Sequence, residues 1–223
     1  MSTREPNHIL IIGAGTMGGQ IALQCAMHGL DVSLYDNSAA NLEAGMGRIR
    51  GYVRFLTAEG RTTAGVLNRI TPVTDLAAAA ATADLVSESV PEDPTLKGRV
   101  FAELNALCPP QTIFTSNSST LLPSMFAAAS GRPERLLSLH FHLPVWDANV
   151  VDVMAHPGTD PEVVDIVTAF ARRIGQIPIV ARRESSGYVF NAMLVALFGA
   201  ALRLAAGDVA TVEDIDRAWM GIM

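Results

Sequence analysis

Residues 8–36 read HILIIGAGTMGGQIALQCAMHGLDVSLYD. Residues 9–12 form a short apolar run, the signature of a strand buried on both faces. GAGTMG follows at once and sets Gly13, Gly15 and Gly18 at G-x-G-x-x-G spacing. From Thr16 to His28 apolar residues recur at helical spacing, and Gly29 suits a helix stop. Residues 32–35 make a second strand, and Asp36 ends it. The order is strand, glycine turn, helix, strand, acid.

That order assigns each residue a job. Gly13 permits the tight turn, Gly15 lets backbone approach a pyrophosphate, and Gly18 lets helix and strand pack closely. Thr16 and Met17 open the helix, whose free N–H groups and partial positive charge suit phosphate. Asp36 lies 23 residues after Gly13, where its carboxylate would bond an adenosine ribose and repel a 2′-phosphate. The expected cofactor is therefore NAD rather than NADP.

The rest of the chain narrows the class. Of 223 residues, 49% are hydrophobic and 17% charged, enough for a sizeable core. The net charge is −6 with no dense Lys/Arg run, which argues against nucleic acid as a partner. Cys25 and Cys108 form no C-x-x-C pair and read as reduced thiols of a cytoplasmic protein. The polar start, MSTREPNH, lacks the pattern of a signal peptide. Residues 188–207 could mimic a membrane span, but they carry Asn191 and Arg203. A helix buried in a core or a dimer interface is expected there instead.

Further strands are expected near residues 69–76 (a strand leaving into a turn), 85–89, 112–117, 136–141, 149–154 and 177–181, with helices at 39–57, 96–107 and 161–174. After Arg183 the strands stop. The expected fold is α/β, a Rossmann-type, mostly parallel sheet with helices on both faces. An all-helical C-terminal part follows that looks incomplete, because the sequence stops inside a helix pattern. The division falls at 1–183 for the nucleotide-binding domain and 184–223 for the start of a helical domain.

A nicotinamide enzyme that oxidises an alcohol needs a base for the hydroxyl proton. Among five histidines, His140 sits at the end of an expected strand, the end where ligands gather in open α/β sheets. Asp152 lies 12 residues later and could orient an imidazole. From the residues alone, a structural His–Asp pair or two unrelated side chains are favoured over a catalytic dyad. Ser119 could cap a helix, Asn191 could be a buried amide, and Glu92 with Lys97 could be a solvated pair. No metal site is assigned.

The chain resembles the L-3-hydroxyacyl-CoA dehydrogenase family. The matching stretches are IIGAGTMGGQIA, ADLVSESVPEDPTLKGRVFAEL, TIFTSNSSTLLPS, SLHF, VVDVM, SSGYVFNAML and TVEDIDRAW, collinear over nearly all of the chain. The resemblance implies His140 as catalytic base and Asp152 at the position of the glutamate that orients it. It implies Ser119 and Asn191 as the polar groups around the substrate oxygen. It places Glu92 and Lys97 around the nicotinamide ribose, with Asn117 and Ser118 in the same loop. The substrate would be a 3-hydroxyacyl thioester, on CoA or on a carrier protein, and the helical domain would form a homodimer.

This chain departs from the family pattern at three positions. Leu143 replaces an asparagine that helps hold the nicotinamide end, Ala192 replaces an arginine, and Asp152 is one methylene shorter than glutamate. Contact between Asp152 and His140 would then need a backbone shift or a water. His142 is an additional imidazole with a possible role in substrate choice. Two other readings stand beside this one. The β-hydroxyacid dehydrogenases place a catalytic lysine near the equivalent of Asn191, and no lysine is present there. A non-catalytic NAD-binding protein of the same fold is the second.

Overall fold

The structure is a computed structural model that describes residues 5–222. Residues 1–4 of the polar start, and residue 223, lie outside them. The elements run β1 (His8–Ile12), α1 (Thr16–Met27), β2 (Asp31–Tyr35), α2 (Ala39–Ala58), β3 (Ile70–Val73), α3 (Leu76–Ala80), β4 (Leu85–Glu88), α4 (Pro94–Leu107) and β5 (Ile113–Ser116). Then come α5 (Ser124–Ala127), β6 (Leu136–Phe141), β7 (Val150–Ala155), α6 (Pro161–Arg173), β8 (Ile177–Ala181), α7 (Phe190–Ala206) and α8 (Val212–Ile222).

The eight strands form one sheet in the order β3-β2-β1-β4-β5-β6-β7-β8. All neighbours are parallel except β6 and β7. The strand side chains alternate between two cores, as their two-residue period requires. Ile9 and Ile11 of β1 face a cluster with Ile21 and Leu23 of α1, Ile49 of α2 and Phe170 of α6. Leu10 and Ile12 face the other cluster, with Phe101 and Leu104 of α4 and Phe126 of α5. Burial on both faces explains why an inner strand such as β1 reads as an unbroken apolar run, whereas the edge strands β3 and β8 are only partly buried.

Side-chain caps begin several helices. Ser38 Oγ accepts Asn41 N–H at α2, Asp75 accepts Ala78 N–H at α3, and Asp93 accepts Leu96 N–H at α4. Each such cap is worth about 1 kcal/mol. The N-terminus of α1 has no side-chain cap. It sits where the strand order reverses, between β1 and β4, the position at which open α/β sheets bind ligands.

The last strand ends at Ala181, and only helices follow. Of the two places expected to bury α7, a core of the chain itself is not found: none of its residues is buried, and Met193, Val195, Phe198 and Leu202 are exposed. The apolar stretch marks a surface here rather than a core. No helix among the described residues is long and apolar enough to cross a membrane.

Candidate active site

The glycines of the first turn have three different surroundings. Gly13 has φ +103, in the region that favours glycine, and a Cβ there would stand 2.8 Å from Ser89 O. A Cβ on Gly18 would stand 1.9 Å from Gly13 O, so nothing larger than glycine lets α1 start so close to the turn. A Cβ on Gly15 would meet nothing within 4 Å, so the space above it is open. A cleft of ≈ 810 Å³ occupies this region. Gly13, Gly15, Asp36 and Glu92 line it, together with Ser89, Val90 and Pro91 from the β4 end.

These residues fit a dinucleotide. The uncapped helix end and the open face of Gly15 suit phosphates. Asp36 holds the turn in place: its Oδ2 accepts Ala14 N–H at 2.9 Å and its Oδ1 accepts Ser38 N–H at 3.0 Å. Thr16, Met17, Gly18, Lys97 and Asn117, all expected at the cofactor, do not line the cleft. Met17 packs against the apolar core beside α1.

Lys97 is not a solvated partner of Glu92. Its side chain is 1% exposed and that of Glu88 is 0% exposed. Lys97 Nζ donates to Glu88 Oε1 at 2.7 Å, to Oε2 at 3.0 Å and to Val90 O at 3.2 Å. Glu88 also accepts Val90 N–H at 2.6 Å and Ser116 Oγ–H at 2.7 Å. This buried pair fastens the start of the 89–92 loop beneath the cleft. Glu92 Oε2 stands farther off, 3.4 Å from Lys97 Nζ. Sequence reasoning missed Glu88; the only available signal was a charged residue closing an apolar strand.

Glu92 joins the cleft to the next loop. Its Oε1 accepts Ser118 Oγ–H at 2.9 Å and Ser119 N–H at 2.6 Å. Ser119 caps no helix, because α5 starts at Ser124. Asn117 Oδ1 accepts Phe141 N–H at 2.8 Å, fixing the loop to the end of β6 beside His140.

The antiparallel register of β6 and β7 sets His140 directly opposite Asp152. Residues so opposed have Cβ atoms only about 5 Å apart. The shorter carboxylate therefore reaches directly, with no bridging water: His140 Nδ1 stands 3.1 Å from Asp152 Oδ2. Both residues are buried, His140 at 3% exposure and Asp152 at 0%. Burial pushes the Asp152 carboxyl up, but the hydrogen bond from His140 and the charges of His140 and His142 outweigh it and bring it to about 2. His142 Nε2 lies 3.3 Å from the same Oδ2.

Tyr188 forms the other wall and was not singled out in the sequence. Its ring centroid lies 4.9 Å from that of His140, and its hydroxyl donates to Leu121 O at 3.1 Å. Its φ is +55, a left-handed conformation uncommon for a bulky residue. Asn191 follows three residues later, in the first turn of α7, and is half-buried. The turn before α7 thus meets the serine loop and the imidazole together.

Residues 8–185 match the family described as 3-hydroxyacyl-CoA dehydrogenase, NAD binding domain. The chain is 36% identical over 214 residues to the 3-hydroxyadipyl-CoA dehydrogenase of Escherichia coli strain K12, a match covering 94% of this chain and 45% of that protein. It spans about half the length of that curated relative. A solved diketoreductase that acts on dicarbonyl compounds is 40% identical with a TM-score of 0.92, covering 98% of this chain and 80% of that one. The (S)-3-hydroxybutyryl-CoA dehydrogenase of Ralstonia eutropha is 27% identical with a TM-score of 0.89, covering 94% and 75%.

Proposed function

The chain belongs to the 3-hydroxyacyl-CoA dehydrogenase family, and on that premise we propose that it interconverts 3-hydroxyacyl and 3-ketoacyl thioesters with NAD. The observation that carries this reading is the His140–Asp152 pair, opposed across β6 and β7 and linked to the cofactor cleft through Asn117, Ser119 and Glu92. The relatives' names supply the substrate class: acyl-CoA carrying a 3-hydroxyl.

With its Nδ1–H donated to Asp152, His140 keeps its lone pair on Nε2. Nε2 takes the 3-hydroxyl proton in the oxidative direction and returns it in the reductive one. Asp152 fixes the ring and stabilises the imidazolium. Bound NAD+ supplies the hydride acceptor, held by Gly13, Gly15, Asp36 and Glu92. Ser119 and Asn191 orient the substrate oxygen.

The exposed apolar face of α7, with Phe198 and Leu202, supports a homodimer through the helical part after Arg183. One observation favours a second substrate reading: the diketoreductase matches over most of both chains. A free dicarbonyl would then replace the thioester. Parallel assays of NADH consumption with acetoacetyl-CoA, an acetoacetyl carrier protein and 2,4-pentanedione separate the choices. The thioester reading expects acetoacetyl-CoA to be preferred; preference for the free diketone overturns it.

A further inference from the structure

His140 lies in β6 opposite Asp152, and His142, just past the end of that strand, brings its Nε2 to 3.3 Å from the same carboxylate. The pair that binds the hydroxyl proton accounts for His140 Nδ1 and Asp152 Oδ2. It leaves two buried polar atoms, His142 Nε2 and Asp152 Oδ1, without a hydrogen-bond partner. Native interiors rarely leave such atoms unmatched, and a missing ion is one ordinary reason.

We propose that His140, His142 and Asp152 bind a divalent transition metal of the zinc class, and that the metal-bound chain is catalytically silent. One donor atom from each residue lies within 4.8 Å of the others. The two separations to Asp152 Oδ2 are 3.1 Å and 3.3 Å. Neighbouring ligands of a tetrahedral zinc, each at about 2.0–2.1 Å from the ion, stand about 3.3 Å apart. Two of the three edges of that shell already have this spacing, the third, between the imidazoles, lies within 4.8 Å, and water or a substrate oxygen can take the fourth corner. Two neutral imidazoles and one carboxylate carry a single negative charge. That donor set suits zinc, cobalt or nickel and disfavours magnesium and calcium, which take oxygen ligands.

The same arrangement explains why the metal would silence the site. Free His140 carries its proton on Nδ1, toward Asp152, and its lone pair on Nε2. A metal on Nδ1 needs that lone pair there, so the ring proton relocates to Nε2 through solvent. Nε2 then has nothing with which to accept the substrate proton. No other group of three potential ligands occurs among the described residues. Cys25 and Cys108 are both buried and unpaired in different parts of the fold.

The test is calorimetric titration of zinc chloride into the tag-free chain, beside His142→Phe and His142→Gln. Phenylalanine keeps an aromatic ring against Phe190, whose centroid lies 5.1 Å from that of His142. One equivalent of zinc is expected per chain, with affinity reduced at least about tenfold in both variants. Cobalt should give a visible absorption band that both variants lose. Zinc should stop NADH consumption by the parent chain, reversibly with a chelator, and spare the variants. Failure to bind one equivalent, unchanged affinity in both folded variants, or equal binding of magnesium chloride overturns the proposal. The titration requires no turnover, so a chain that binds zinc but fails on every carbonyl substrate overturns only the functional reading.

Discussion

Replacing Lys97 by methionine removes the cation from a carboxylate that has no access to water. Glu88 would keep two donors, Val90 N–H and Ser116 Oγ–H, and lose the bonds at 2.7 Å and 3.0 Å that neutralise it. Breaking one partner out of a buried pair costs about 3–5 kcal/mol, far more than the 0–1 kcal/mol of a surface pair. For a chain of this size that lowers the melting temperature by roughly 10 °C. The double variant Glu88→Gln with Lys97→Met leaves no charge behind and should recover most of the loss. Urea unfolding followed by circular dichroism measures all three proteins, and NADH fluorescence titration reads the loop above. Lys97 Nζ also bonds Val90 O, so the single variant should bind NADH more weakly. A Lys97→Met chain within about 1 kcal/mol of the parent would refute the buried-pair assignment. So would a double variant as unstable as the single one.

Two more substitutions follow from distances. Gly18→Ala forces a Cβ to 1.9 Å from Gly13 O and should displace the start of α1, weakening NADH binding at least about tenfold and costing about 1–3 kcal/mol. Its neighbour is the control: a Cβ on Gly19 meets Ile49 Cγ1 at 3.5 Å, so Gly19→Ala should bind NADH like the parent. Asp152→Asn tests the depressed carboxyl. A folded-state value of about 2 means stability that is present above the ordinary carboxylate range and lost as pH falls through 2. The parent's advantage over Asp152→Asn in urea unfolding should therefore shrink by about 2 kcal/mol between pH 5 and pH 2. An advantage that stays constant across that window would contradict the assignment.

Much of the nucleotide-binding half was legible because one stretch carried several independent signals. Residues 9–12, the three glycines, the helix and Asp36 each constrain the same turn, and β6 and β8 fall where their apolar runs lie. The direction of β7 was not legible. A strand buried on both faces reads as an apolar run whether its neighbour is parallel or antiparallel. That one unknown hid the register, and with it the direct reach of Asp152 to His140. Lys97 misled for a related reason: a charge near a helix start is usually solvated, and its burial depends on Glu88 at the end of a different element. Tyr188 carried no signal, because its role depends on a left-handed turn that brings its ring to His140. The apolar face of α7 was seen, but a sequence cannot tell a core from an uncovered surface.

The central claim is that His140 is the proton-transferring base of an NAD-dependent dehydrogenase. The direct measurement is NADH consumption with acetoacetyl-CoA, made on the parent and on His140→Gln, with NADH binding titrated on both. The account predicts that turnover falls by about 10²–10⁴-fold while NADH affinity stays unchanged. Turnover that survives the substitution would contradict it.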